Sequence, residues 1–224
     1  MGTSRWWHAI DSYCERTDAS YWSEPLNAIS NIAFVVAAVV IWRTAHAARD
    51  RAGQALAMGA AGIGIGSFLF HTFATVWALQ ADIQPIRLFV LAFIGLGVVR
   101  FFAARWWVGL VASVAFVPAG SVVAAAARAG LGPLNGSVGY LPMLVLLLGA
   151  AAAVWRRSPS AGRGLLLASG IFAAALVFRT VDLALCQAWP LGTHFLWHAL
   201  NGVVVGLLGV IFVRAGRHVA TVTG

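Results

Sequence analysis

Seven apolar runs of about 20 residues recur along the chain, each long enough to cross roughly 30 Å of hydrocarbon at about 1.5 Å per helical residue. Such a chain has few ways to fold, because in lipid every backbone N–H and C=O must be satisfied within the protein, and helices do this segment by segment. The runs cover residues 26–45, 54–76, 83–102, 106–127, 138–155, 163–184 and 193–213, the fourth carrying Pro118 and Gly120 inside it. Of the 224 residues, 61% are hydrophobic and 10% charged, and the mean hydropathy of +0.85 excludes an ordinary soluble domain. The connections are too short to hold a second domain. The expectation is therefore one all-α, seven-helix transmembrane domain over residues 1–224, headed by an acidic segment over residues 1–25. Arg5 is not followed by an apolar stretch before Asp11, so a cleavable signal peptide is not expected and the first span should direct insertion itself.

The formal net charge is +8, and all fifteen basic residues are arginines, scattered between spans except for Arg87 and Arg179 inside them, which argues for membrane topology and against a nucleic-acid partner. Arg43, Arg49, Arg51, Arg100, Arg105, Arg156, Arg157, Arg163, Arg214 and Arg217 fall on one face; Arg5, Arg16 and Arg128 fall on the other. The positive-inside rule then places the amino terminus outside and the carboxyl terminus in the cytoplasm. Tryptophans near span ends, such as Trp6, Trp7, Trp106 and Trp107, suit an interfacial belt. The absence of lysine, with abundant alanine and glycine, suggests a GC-rich bacterial genome and hence a bacterial inner membrane.

Against this background Ser67, His71, Asp82, His194 and His198 stand out, since polar groups inside hydrophobic spans are costly and mark function. The predicted orientation brings all five to the outer face. His194 and His198 are four apart, so both imidazoles project from one helix face and can grip one ion. Catalytic zinc commonly takes three protein ligands and leaves a position for water, and His71 is the natural third. Each residue also has a plainer reading. The histidine pair can be packing or hydrogen-bonding groups, Asp82 can cap a helix before Ile83 and Pro85, and Ser67 can be one more small contact residue after the run GAAGIGIG.

Arg179 and Asp182, three apart on the sixth span, suit an intramembrane ion pair supporting the site, or contact with a metal-ligating histidine. Asp11, Glu15, Asp18 and Glu24 are four of the seven acidic residues and precede the first span. Close together they would suit a hard cation with oxygen ligands; apart they would be a solvated, helix-capping segment. Both cysteines, Cys14 and Cys186, fall on the outer face, where an oxidising compartment permits a bridge. His8, His46 and His218 lie outside any constellation and read as surface residues.

The strings GSFLFHTFATVWALQAD, FRTVDLALCQAWPLGTHFLWHALNG and DSYCERTDASYWSEPLNAISN together resemble the alkaline ceramidase family, within a wider group of seven-helix membrane hydrolases that includes adiponectin-receptor-like proteins. The resemblance covers both ends and the second, third, sixth and seventh spans. It implies zinc held by His71, His194 and His198 with a bound water as nucleophile, Asp82 as general base then acid, and Ser67 as oxyanion donor. It also implies calcium at the acidic segment, although Asp11 stands three before Cys14 where the animal enzymes have an aspartate two before, and the gap from cysteine to the later glutamate is shorter. The implied reaction is hydrolysis of the N-acyl amide of ceramide or a ceramide-like membrane lipid. A metal-stabilised receptor or structural protein is the alternative; transport would need polar residues spaced across the membrane, whereas these gather at one face.

Overall fold

The computed structural model describes residues 5–222, with side-chain surroundings to residue 216, so Arg217 and His218 lie outside the described side chains. Every regular element among the described residues is helical: α1 Pro25–Ser30, α2 Ile32–Ala47, α3 Arg51–Phe73, α4 Val76–Phe102, α5 Trp106–Leu131, α6 Leu141–Trp155, α7 Pro159–Leu185 and α8 His194–Val222, with short 3-10 segments at Arg5–Trp7 and Leu134–Tyr140. α1 and α2 form one span, and seven helices of 22–27 residues are long and apolar enough to cross a membrane. Each span packs on its chain neighbours, and α8 returns to α2 while also touching α3 and α4. Large apolar side chains such as Leu88, Val114 and Val122 remain exposed on the outside of the bundle, as a hydrocarbon surround requires.

Local chemistry sets the breaks. Asp50 accepts a hydrogen bond from the Gly53 N–H and caps α3; Ser158 caps α7, with Pro159 in its first turn. α3 ends at Ala74, which is left-handed at φ 43° and donates its N–H to the Phe70 carbonyl. Thr75 then caps α4. The alternative reading of Asp82 as a helix cap is therefore corrected: the helix starts at Val76, and Asp82 lies nearly two turns inside it. Pro85 is interior to α4, so the carbonyl of Ala81, which a regular helix would pair with the N–H of residue 85, meets none there. That carbonyl faces Gly66 of α3, where an added Cβ would collide with it. Gly59 and Gly62 continue the same face of α3 against Phe89 and Pro85, the close small-residue contact that helices in lipid favour.

The end of the bundle away from His71 is fastened by Arg100. Its guanidinium donates to both carboxylate oxygens of Asp50 and to the Phe212 carbonyl at 3.2 Å, and it lies 3.7 Å above the Phe212 ring. One side chain thus joins α4, the start of α3 and α8. Partial burial raises the pKa of Asp50, but the Arg100 guanidinium and the Gly53 N–H outweigh it and hold the carboxyl below the usual range.

Two outcomes follow from these contacts. Gly66→Val should push α4 from α3 and lower stability by on the order of 1–3 kcal/mol, read as a lower midpoint of thermal unfolding in detergent. Asp50→Asn should destabilise the protein at neutral pH. Because the folded-state pKa of Asp50 is depressed, that contribution is complete above the unfolded-state value and fades as pH falls through the folded one, so the wild-type and variant midpoints should converge in acid.

Candidate metal centre

The last turn of α3 carries His71 and the first two turns of α8 carry His194 and His198, which are 1%, 1% and 2% exposed. One ring nitrogen from each lies within 4.8 Å of the others. Ring centroids stand 4.6 Å apart for His71 and His198, 4.6 Å for His194 and His198, and 5.2 Å for His71 and His194. Nε2 of His71 and Nδ1 of His194 are buried without a hydrogen-bond partner. Orphaned nitrogens are costly inside a protein, and a shared ion would satisfy them.

Two neighbours fix the tautomers. Nδ1 of His71 lies 2.6 Å from Glu24 Oε2; an ionised carboxylate only accepts, so the proton sits on Nδ1 and the Nε2 lone pair is free. Nδ1 of His198 lies 2.8 Å from Ser30 Oγ, whose single proton goes to the Asn27 carbonyl at 2.9 Å. Ser30 therefore accepts from His198, which leaves Nε2 as the lone-pair nitrogen. A carboxylate or hydroxyl behind each ligand is how metal-binding histidines are normally oriented. Glu24 is itself held by Arg16 at 2.5 Å and by the Asn27 amide at 3.0 Å. Burial raises its pKa, but these partners and His71 outweigh burial and keep it below the usual carboxylate range.

His194 is positioned from two sides. Tyr13 stacks on its ring at 3.7 Å between centroids, with 18° between the planes, and accepts from Arg179 Nη1 at 2.9 Å. Burial pushes the Tyr13 hydroxyl up to about 12, against the lowering influence of Arg179. Asp182 accepts from the backbone N–H of Cys14 at 3.0 Å, Thr193 at 2.7 Å and His194 at 2.9 Å. It thereby satisfies donors that a helix start leaves open. Gly192 precedes this start at φ 65°, where a Cβ would strike the Asp182 carboxylate and Cys14. The expected Arg179–Asp182 ion pair does not form. The ion pairs among the described residues are Arg16–Glu24, His71–Glu24 and Arg100–Asp50. The free N–H groups of α8 take Asp182, while Arg179 sits among the rings of Tyr13, Tyr140 and Trp197 at 5.6, 5.2 and 5.4 Å. Cys14 and Cys186 form a disulfide with 5.4 Å between their Cα atoms, tying the amino-terminal segment to the end of α7.

The contact of Gly66 with Ala81 and the Asp82 backbone brings the next residue of α3, Ser67, close to Asp82. Asp82 has the His71 imidazole and the Arg179 guanidinium in its surroundings, its Oδ1 is buried without a partner, and it stands outside the cluster of mutually close ligand atoms. The four carboxylates of the acidic segment do not gather. Glu15 accepts from the N–H groups of Leu26 and Asn27 at 2.7 and 2.8 Å, Asp18 accepts from the Ser20 N–H at 2.8 Å, Asp11 is exposed, and Glu24 turns to His71. Burial raises the pKa of Glu15 against the lowering effect of its two N–H partners, and the Ser20 contacts lower that of Asp18. His8 and His46 are exposed.

Glu24, Ser30, Tyr13 and Arg16 are the site residues that sequence reasoning assigned elsewhere or passed over. Glu24 had one available signal, since each ligating histidine needs a partner for its second nitrogen and Glu24 is the last acid before the first span. A divalent metal ion added to metal-free protein should bind at about one ion per chain, and Glu24→Gln, compared under conditions where both proteins are folded, should bind it about 10–100-fold more weakly in a competition titration.

No protein-family model and no curated protein matches this sequence, so what the site does is read from its own residues.

Proposed function

We propose that the protein is a zinc-dependent intramembrane amidohydrolase of the alkaline ceramidase kind, cleaving the N-acyl amide of ceramide or a ceramide-like lipid to a fatty acid and a sphingoid-type amine. The observation that carries this reading is the combination of three converging histidines, two of them with orphaned buried nitrogens, and an adjacent carboxyl and hydroxyl, Asp82 and Ser67, outside the ligand set. A structural metal site needs no such pair. Zinc held by His71, His194 and His198 would supply a Lewis acid for the amide carbonyl and lower the pKa of water towards about 7.

The chain's own groups account for the rest. The attacking water bonds through oxygen to the acyl carbon, its proton passes to Asp82, the C–N bond breaks, and Asp82 returns the proton to the leaving nitrogen. Ser67 donates to the oxyanion that forms in between, a role worth roughly 2.7–4 kcal/mol in other acyl-transfer sites. A partly open apolar cavity of about 100 Å³ inside the bundle is lined by Phe34, Phe89, Phe93, Phe172 and Trp197 among others. Tyr140 and Trp197 of this lining flank Arg179, which also reaches Tyr13 on the His194 ring, so the cavity opens a route for part of an acyl chain towards the site. The arginine distribution and the Cys14–Cys186 bridge support an extracytoplasmic site in a bacterial inner membrane.

The near-complete burial of the triad and the ring of Tyr13 over His194 favour one other reading, a metal-stabilised receptor or structural protein, because structural metal sites are closed. Ceramide offered in mixed micelles to the zinc-loaded protein distinguishes the two. Release of fatty acid and amine is expected from the wild type, with a loss of about 10²–10⁴-fold in Asp82→Asn at unchanged zinc content. A wild type that holds zinc yet cleaves no ceramide of any chain length would leave the structural reading standing.

A further inference from the structure

The resemblance to alkaline ceramidases implies calcium in the amino-terminal segment, and the residues present do not fit it. Calcium needs six to eight oxygen ligands around one point. Here Glu15 turns to the N–H groups of Leu26 and Asn27, Glu24 to Arg16, Asn27 and His71, and Asp18 to the Ser20 N–H, while Asp11 is exposed, so the carboxylates do not converge on one point. At the centre of the segment lies a cation that the chain itself supplies. Arg16, with its side chain 4% exposed, donates from Nε to Glu24 Oε1 at 2.5 Å, from Nη1 to the carbonyls of Asp18 at 3.1 Å and Ser20 at 3.4 Å, and from Nη2 to the carbonyl of His71 at 3.2 Å.

Those four oxygens come from three stretches of chain, as the ligands of a bound ion would. The His71 carbonyl belongs to the last turn of α3, where carbonyls lack helical partners and the helix dipole favours positive charge. Arg16 also neutralises Glu24, and Glu24 orients the His71 imidazole. His71 is thus held twice, through its ring by Glu24 and through its backbone by Arg16. Lysine could not replace this arrangement, because a point charge with three donors does not span what a planar fork reaches.

We infer that Arg16 is the built-in counterpart of a divalent cation: it organises residues 15–24 and acts as a positioning residue for His71, so that the metal centre assembles without a second metal ion. The inference rests on the proposed metal site only where zinc affinity is the readout.

The experiment uses full-length, metal-free protein in detergent, comparing wild type with Arg16→Ala by thermal unfolding and then by zinc titration, each with added calcium, low-millimolar guanidinium, or matched sodium chloride. The wild-type midpoint should not respond to calcium. Arg16→Ala should unfold earlier and bind zinc about 10–100-fold more weakly, with both defects reduced by guanidinium and by neither calcium nor sodium chloride. Calcium raising the wild-type midpoint, zinc affinity in Arg16→Ala within about twofold of wild type, or guanidinium acting no better than sodium chloride would each overturn the inference. If Arg16→Ala does not fold, Arg16→Lys takes its place: weaker zinc binding supports the role of the fork, and wild-type affinity overturns it. A wild type that binds no zinc would remove the proposed hydrolase and leave the unfolding comparison as the test of Arg16.

Discussion

The carboxylate of Glu24 meets both the guanidinium of Arg16 and the imidazole of His71 in a space almost closed to solvent. Each partner depends on the others. Without Arg16 the carboxylate would be a buried charge opposed only by a histidine and an amide; without Glu24 the guanidinium would lose its counter-charge, and desolvated single charges are among the costliest things a fold can contain. The arrangement makes His71 present one particular nitrogen to His194 and His198. The remainder of this end of the bundle reads as support for that presentation, with Ser30 behind His198 and Asp182 and Tyr13 around His194.

Helix packing delivers these groups to one place. The glycine face of α3 lets α4 approach closely enough to set Asp82 beside Ser67, and the carbonyl left open by Pro85 is part of that contact. At the opposite end Arg100 clamps α3, α4 and α8 through Asp50 and Phe212. The three helices that carry the candidate site are therefore tied at both ends.

The seven helices were legible in the sequence because hydropathy and length alone mark a span. The position of Asp82 was not, because Pro85 resembled the first turn of a helix that begins at Val76. Arg179 and Asp182 have the spacing of an ion pair, yet the open N–H groups of α8 and the cluster of rings recruit them separately; spacing along one helix carries no information about what the next helix offers. The acidic segment shows the same limit. Its carboxylates are close in sequence, but backbone donors hold Glu15 and Asp18, and Arg16 and His71 together hold Glu24. Only the histidine pair at i,i+4 had its geometry written into its own helix, and only His71 was added to it by matching depth.

The chain order of the site has a consequence for biogenesis. Glu24 and Arg16 belong to the earliest part of the polypeptide, His71 and Asp82 to the second and third spans, and Asp182, His194 and His198 to the last two. A nascent chain holding only the first spans carries Asp82 in the bilayer without Arg179 and His71 without its two histidine partners. The candidate site is therefore complete only when α8, the last span to be made, has packed against α2 and α3.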